Sequence, residues 1–241
     1  MQTRVFGDDG EEDLAFVLGW GNRLDHENVR WLVDHLVEAG YRTHVFQIPV
    51  NGSDFEAEYL EPVVAYLREA DIEEYRFLGH STGGLIGAHV RDPVPVTRTY
   101  LSPWWGYPPD QEGIALRIVE KLPVSAQVVP AGTAGREALG ELATDRQIDD
   151  NPGNASPAFI GATRQAQADL PPFDPDAVVF YTPEDRVVSV PAIEERAPER
   201  NRVAYEGGHE LFSSPTREEY VDRILAAVDR GLEGVTDPED E

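Results

Sequence analysis

The chain has 241 residues, with 45 Asp and Glu against 20 Lys and Arg for a formal net charge of -25, and Lys121 is its only lysine. A field of that sign repels nucleic-acid backbones and anionic membrane surfaces, so neither is expected as a partner. Cysteine is absent, which excludes disulfides, thiolate nucleophiles and thiolate metal sites.

Hydrophobic residues make up 41% of the chain, enough for the core of one α/β domain. The longest apolar runs, residues 14–18 and 177–181, are far too short to cross a bilayer. Residues 1–13 carry no basic start followed by an apolar stretch, so no secretory signal is expected and the expected location is the cytoplasm.

In chain order, strands are expected at 3–6 and 14–18, joined by an acidic turn (residues 7–12) that reads as a hairpin connection. Val29, Leu32, Val33, Leu36 and Val37 recur at helical spacing, with Gly40 as the stop. A strand follows at 43–48. Ser53 or Asp54 then caps a helix carrying Leu60, Val63, Val64 and Leu67, in which Pro62 marks a possible start. Residues 75–78 form a short strand leading through Gly79-His80-Ser81-Thr82-Gly83-Gly84 into an apolar helix, and another strand spans about 96–101. Residues 103–172 are rich in Pro, Gly, Ala and aromatics and break the alternation. They read as an insertion covering the domain, with helical pieces at 114–121 and 135–142. Alternation resumes with a strand at 177–181, a helix at 190–196, a strand at 202–205 and a final helix with Val221, Ile224, Leu225 and Val228 on one stripe. Residues 233–241 read as a frayed acidic tail. The core is thus expected from 1–102 and 173–232, as a mostly parallel sheet with helices on both faces and ligands at the carboxyl ends of its strands.

Gly79-His80-Ser81-Thr82-Gly83 is a G-x-S-x-G motif between an expected strand and an expected helix. On so tight a turn the neighbours must be small, and the serine hydroxyl is pushed out above the sheet at the positive end of a helix. Ser81 is therefore the candidate nucleophile. A serine needs a base to take its proton, and the base needs an acceptor to hold its tautomer. Of six histidines, His209 alone sits in a loop after an expected strand and before the last helix, so it is the candidate base; His80, beside the serine, is expected to point elsewhere. Asp185, on the loop after the 177–181 strand, is the candidate acid, since it completes the chain order Ser, Asp, His. Glu184 is its adjacent competitor, and a salt bridge to Arg186 or a helix cap is the structural alternative for Asp185 itself.

Strand, G-x-S-x-G, helix, capping insertion, strand with D-x-V-V, and G-G-H before a terminal helix together resemble the α/β-hydrolase superfamily over nearly the whole chain. The resemblance implies an acyl-serine intermediate and an oxyanion hole of two backbone amides. One is that of Thr82, after the nucleophile. The other comes from Gly19-Trp20-Gly21-Asn22, with Trp20 as the matching donor and Gly21 or Asn22 as alternatives; Leu18 stands where the family usually has histidine. No carboxylate follows the 96–101 strand, where Ser102-Pro103-Trp104 stand, which favours Asp185. The acidic, almost lysine-free composition also resembles proteins of halophilic archaea, whose carboxylates keep the chain hydrated in concentrated salt.

Trp104, Trp105 and Tyr107 open the insertion next to the nucleophile and either line a substrate pocket or anchor the insertion on the core. Ile114, Leu116, Ile118, Val119 and Leu122 give the insertion an apolar face that packs on the domain, covers substrate or meets lipid. No metal set, phosphate loop or cofactor motif is evident. The expected activity is hydrolysis of carboxylic esters with small to medium acyl chains. The same triad also serves thioesterases, lipases, amidases, acyltransferases and carbon-carbon bond hydrolases, and a non-catalytic ligand-binding relative is the reading from a different class.

Overall fold

The computed structural model describes residues 1–109, 122, 124–130 and 135–236. Nine strands occur among them: β1 (Gln2–Phe6), β2 (Glu12–Val17), β3 (Tyr41–Gln47), β4 (Tyr75–His80), β5 (Arg98–Leu101), β6 (Val129–Pro130), β7 (Asn154–Ala155), β8 (Val178–Tyr181) and β9 (Arg202–Ala204). The main sheet has seven strands in the order β1-β3-β2-β4-β5-β8-β9, parallel throughout except for β1, while β6 and β7 form a separate antiparallel pair. This is the α/β-hydrolase fold.

Alternation along the central strands builds a core on each face. Ala15 and Val17 of β2 point into one cluster, with Val63, Leu67, Leu85 and Ile86 from α2 (Glu61–Glu69) and α3 (Thr82–His89). Leu14 and Phe16 point into the other, with Val29, Leu32, Val33 and Leu36 of α1 (Glu27–Glu38) and Ile224 and Val228 of the terminal helix, Arg217–Arg230. Each such fully buried aliphatic side chain stabilises the fold by roughly 1.5–3 kcal/mol before chain entropy is counted. The strand order reverses beside β2, where β3 lies on one side and β4 on the other. The crevice beyond the carboxyl ends of β2 and β4 is where an open sheet of this kind binds ligands.

The first two strands do not form a hairpin. β1 pairs antiparallel with β3, and β2 is flanked by β3 and β4. The physical reason is burial: residues 14–17 are fully buried and suit a central strand, whereas residues 2–4 are exposed and suit an edge. Asp54 does act at the start of the second helical segment, its Oδ1 accepting from the Ala57 amide at 3.0 Å. A turn of π-helix (Glu56–Leu60) precedes α2, and Pro62 lies in the first turn of α2.

Among the described residues, the segment between β5 and β8 adds no strand to the main sheet. It holds the single turn α4 (Arg136–Leu139), then α5 (Asp145–Asp150) and α6 (Pro157–Ala168), so the helix expected over 135–142 is shorter than its pattern suggested. The helix expected at 114–121 lies outside the described residues. α5 carries a capping box between Thr144 and Gln147, and α6 is capped by Ser156 with Pro157 at its start. The remaining α-helices among the described residues are α7 (Val190–Arg196) and α8 (Arg217–Arg230). The first residues of the expected frayed tail are ordered: Gly231–Gly234 form a 3-10 turn held by the Leu232 amide donating at 3.0 Å to Asp176 O in the loop before β8, and residues 237–241 lie outside the described residues. Among the described residues no helix is long and apolar enough to cross a membrane.

Candidate active site

β4 ends at His80 and α3 begins at Thr82, so Ser81 alone makes the turn, with φ 52° and ψ -115°. A non-glycine residue in that region stores strain of about 1–3 kcal/mol, which surrounding contacts must hold. They do: the Ser81 amide donates to Leu101 O at 3.0 Å, and the Ser81 carbonyl accepts from the amides of Gly84, Leu85 and Trp104. The small neighbours are required by space. A Cβ at residue 83 would stand 2.0 Å from Val17 O, and one at residue 79 would stand 2.7 Å from Gly83 O.

Asp185 follows β8 on a tight loop. Its Oδ1 accepts from the amides of Val187 and Val188 at 2.8 and 3.0 Å, and its Oδ2 stands 2.8 Å from His209 Nδ1. Both side chains are closed off from solvent, at 0% and 3% exposure. Burial raises the Asp185 pKa, but attraction to His209, its hydrogen bond and the two amides outweigh this and hold the carboxyl below its ordinary value. Asp185 therefore engages His209 rather than Arg186, and Glu184 is exposed. The two amides occupy Oδ1, so Oδ2 accepts from Nδ1–H and the lone pair of His209 is on Nε2.

The His209 loop is braced from two sides. The His209 and Glu210 amides donate to Ala138 O and Leu139 O of α4 at 2.8 and 2.7 Å. From beneath, the Tyr205 hydroxyl lies 2.8 Å from Gly208 O, 3.0 Å from His209 O and 3.0 Å from Ser102 Oγ.

Ser81, Thr82, His209 and Trp20 line one cavity of about 550 Å³. Thr82 is the first residue of α3, where an amide has no acceptor within its own helix. Trp20 sits in the loop after β2, closed by the Asn22 amide donating to Gly19 O at 3.1 Å. Its ring, anchored by Nε1 donating to Val50 O at 2.8 Å, stacks on Phe159 of α6 at 5.5 Å. Trp104 and Tyr107 line the same cavity, and Trp104 packs against Phe159 at 5.9 Å.

Two sequence expectations are corrected. Trp105 does not line this cavity: its ring packs on Tyr100 at 5.1 Å, its Nε1 donates to Gly84 O at 3.3 Å, and it borders a separate cavity of about 320 Å³. A buried indole needs an acceptor for its N–H, and Gly84 O supplies one on the core side. His80 does not point away from the site; its ring lies 4.9 Å from that of His209 and 5.0 Å from that of Phe212. Burial, reinforced by His209, pushes its pKa well below the ordinary value.

Sequence reasoning missed Phe159 and Ile160, which form much of the apolar wall, and Gln147 and Glu210, which form the polar one. The capping box Thr144-x-x-Gln147 and the Ser156-Pro157 pair were available signals for α5 and α6. Among the described residues no group of three or more His, Asp or Glu is arranged to hold a metal ion.

A strained serine and a carboxylate-held imidazole thus line one cavity with apolar and polar walls. Solved structures with the same fold include a monoglyceride lipase from Saccharomyces cerevisiae, 14% identical with a TM-score of 0.65, covering 95% of this chain and 89% of that one. An esterase from Exiguobacterium antarcticum is 13% identical with a TM-score of 0.67, covering 94% of each chain. A carboxylesterase from the thaumarchaeon Nitrososphaera gargenis is 13% identical with a TM-score of 0.64, covering 95% of this chain and 94% of that one. No curated protein matches the chain by sequence. Residues 16–223 match the model of the alpha/beta hydrolase family, and the chain belongs to that family.

Proposed function

We propose that this hydrolase cleaves carboxylic esters of small to medium acyl chain through an acyl-serine intermediate, with Ser81 as nucleophile, His209 as general base and Asp185 as the group that orients the histidine. The observation that carries this reading is the 2.8 Å contact between His209 Nδ1 and Asp185 Oδ2, with Ser81 and His209 on one cavity wall. It leaves Nε2 as the basic nitrogen, and a base so held activates a hydroxyl that is inert by itself.

In acylation, Ser81 Oγ attacks the ester carbonyl while its proton passes to His209 Nε2, and the carbonyl oxygen becomes an oxyanion facing the amides of Trp20 and Thr82. Collapse expels the alcohol, which takes the proton back from His209. A water then gives its proton to His209 and attacks the acyl carbonyl, releasing the acid and restoring Ser81. Each oxyanion donor, if preorganised, lowers the barrier by about 3–4 kcal/mol. The reaction requires no cofactor or metal. Trp104, Tyr107 and the ring of Trp20 wall the acyl or alcohol pocket.

The lipase and esterase neighbours support an ester as the substrate class, and the acidic surface supports work in concentrated salt, as in the cytoplasm of a halophilic archaeon. The test is hydrolysis of a p-nitrophenyl ester series in concentrated salt, with fluorophosphonate labelling in parallel. Turnover and labelling that both disappear in Ser81→Ala are expected. Absence of labelling in the parent protein at every salt concentration would favour a ligand binder, and turnover of acyl thioesters alone would move the assignment to a thioesterase.

A further inference from the structure

We propose that Glu210 is a positioning residue for this site: acting through Asn22, it fixes the attitude of the loop bearing Trp20 and the tautomer of His80. The inference rests on the hydrolase reading above.

Glu210 follows the proposed base and is only 3% exposed. Its Oε1 accepts from Asn22 Nδ2 at 2.7 Å, and its Oε2 accepts from Ser213 Oγ at 2.6 Å and Gln147 Nε2 at 3.1 Å. Gln147 is not free to turn round, because its Oε1 already accepts from Asn28 Nδ2 at 2.8 Å and from the Thr144 amide at 3.1 Å. Three donors therefore converge on residue 210, and a carboxylate, which only accepts, satisfies all of them.

The consequence passes to the next residue. With its NH2 committed to Glu210, Asn22 must present its carbonyl oxygen to the other side, where His80 Nδ1 lies 3.0 Å away. An amide oxygen only accepts, so His80 carries its proton on Nδ1. Its Nε2 is left as a bare acceptor, and among the described residues this buried atom has no partner. The low pKa of the ring keeps it from taking a second proton.

Asn22 is also the closing residue of the turn that holds Trp20. Its side chain thus ties the proposed oxyanion loop to the His209 loop on one side and to the residue before Ser81 on the other. The fit is close: a Cβ at residue 19 would stand 2.6 Å from His80 Nδ1, so a displaced His80 ring would press on that loop. A misaligned oxyanion donor weakens transition-state binding while leaving substrate binding largely intact.

The experiment compares parent, Glu210→Gln, Asn22→Ala and the double variant, reading kcat and KM for p-nitrophenyl butyrate and the nitrogen chemical shifts of 15N-labelled histidine. Glutamine keeps the size of Glu210 but sets an NH2 against one of the three donors, a clash relieved when Asn22 turns over. Expected is a fall in kcat of about 10–100-fold, less than the full loss of an oxyanion donor, with KM within about twofold and the His80 proton moved from Nδ1 to Nε2. Asn22→Ala should lower kcat alike, and the double variant should be no worse than the poorer single, because both act through one connection. Parent-like kcat in folded Glu210→Gln, additive losses, or an unmoved His80 tautomer would overturn the proposal. Asn22→Ala leaves the carboxylate and its other donors in place, so it keeps the question open to test if Glu210→Gln does not fold; parent-like kcat there overturns the proposal as well. If the hydrolase reading itself fails, the parent protein shows no turnover or labelling, whereas the tautomer measurement still reports on Glu210.

Discussion

His209 Nδ1 and Asp185 Oδ2 meet at 2.8 Å in a buried contact whose other carboxylate oxygen is held by the amides of Val187 and Val188. That double hold makes Asp185→Asn an informative change. The asparagine oxygen will keep the two amides, so its NH2 faces Nδ1 and drives the histidine proton onto Nε2, the atom required as base. We expect kcat to fall by about 10³–10⁴-fold with folding retained. Steady-state kinetics beside a circular dichroism melt check this, and a loss under tenfold would remove Asp185 from the proposed triad.

The same carboxylate makes stability depend on pH. Its pKa in the folded protein lies below the ordinary value of 3.8, so the unfolded chain binds more protons between the two values. The Asp185 contribution is therefore complete above the unfolded value and is lost as pH falls through the folded one. Melting temperature measured from pH 6 to pH 2.5 should fall more steeply in the parent protein than in Asp185→Asn. Parallel curves would contradict the assigned shift.

A single hydroxyl holds the base loop from below. Tyr205→Phe removes the contacts to Gly208 O, His209 O and Ser102 Oγ and leaves buried acceptors short of a donor. The expected cost is about 1–3 kcal/mol of stability, read from denaturant unfolding, with kcat lowered as the His209 backbone loosens. Stability unchanged within error would mean that water replaces the hydroxyl.

Much of this arrangement could be read from the residue order, and the failures have physical causes. The G-x-S-x-G turn, the loop after β8 and the G-G-H loop are local signals, because each needs a backbone geometry that only certain residues permit. Pairing partners are not local: nothing in residues 2–17 says that β1 crosses to β3, only that residues 14–17 are too apolar for an edge. The side-chain direction of His80 depends on Asn22 and His209, which lie 58 and 129 positions away along the chain. α6 is hard to read because Ala, Gln and Gly blur its helical periodicity, and α5, six residues long with Ile148 as its one aliphatic side chain, is too short to show any, although the caps of both are legible.

Salt should stabilise this chain. At a net charge of -25, self-repulsion among surface carboxylates opposes the compact state, and the screening length falls from about 10 Å at 0.1 M to about 3 Å at 1 M. Melting temperature and ester turnover are expected to rise between 0.1 M and 2 M KCl. A monotonic decline in both would remove the reading of adaptation to concentrated salt.

Adjacent tryptophans should respond differently to mutation. Trp104 lines the main cavity beside Phe159, so Trp104→Ala enlarges it, and KM for longer acyl esters should fall relative to short ones. Trp105 turns to the core, where its N–H bonds Gly84 O and its ring meets Tyr100. Trp105→Phe removes that bond and part of the packing, so it should cost about 1–3 kcal/mol without changing acyl preference. Because Gly84 belongs to α3, the loss should appear in unfolding curves and in a reduced kcat shared equally by all chain lengths. A shift in chain-length preference from Trp105→Phe would place residue 105 in the substrate wall after all.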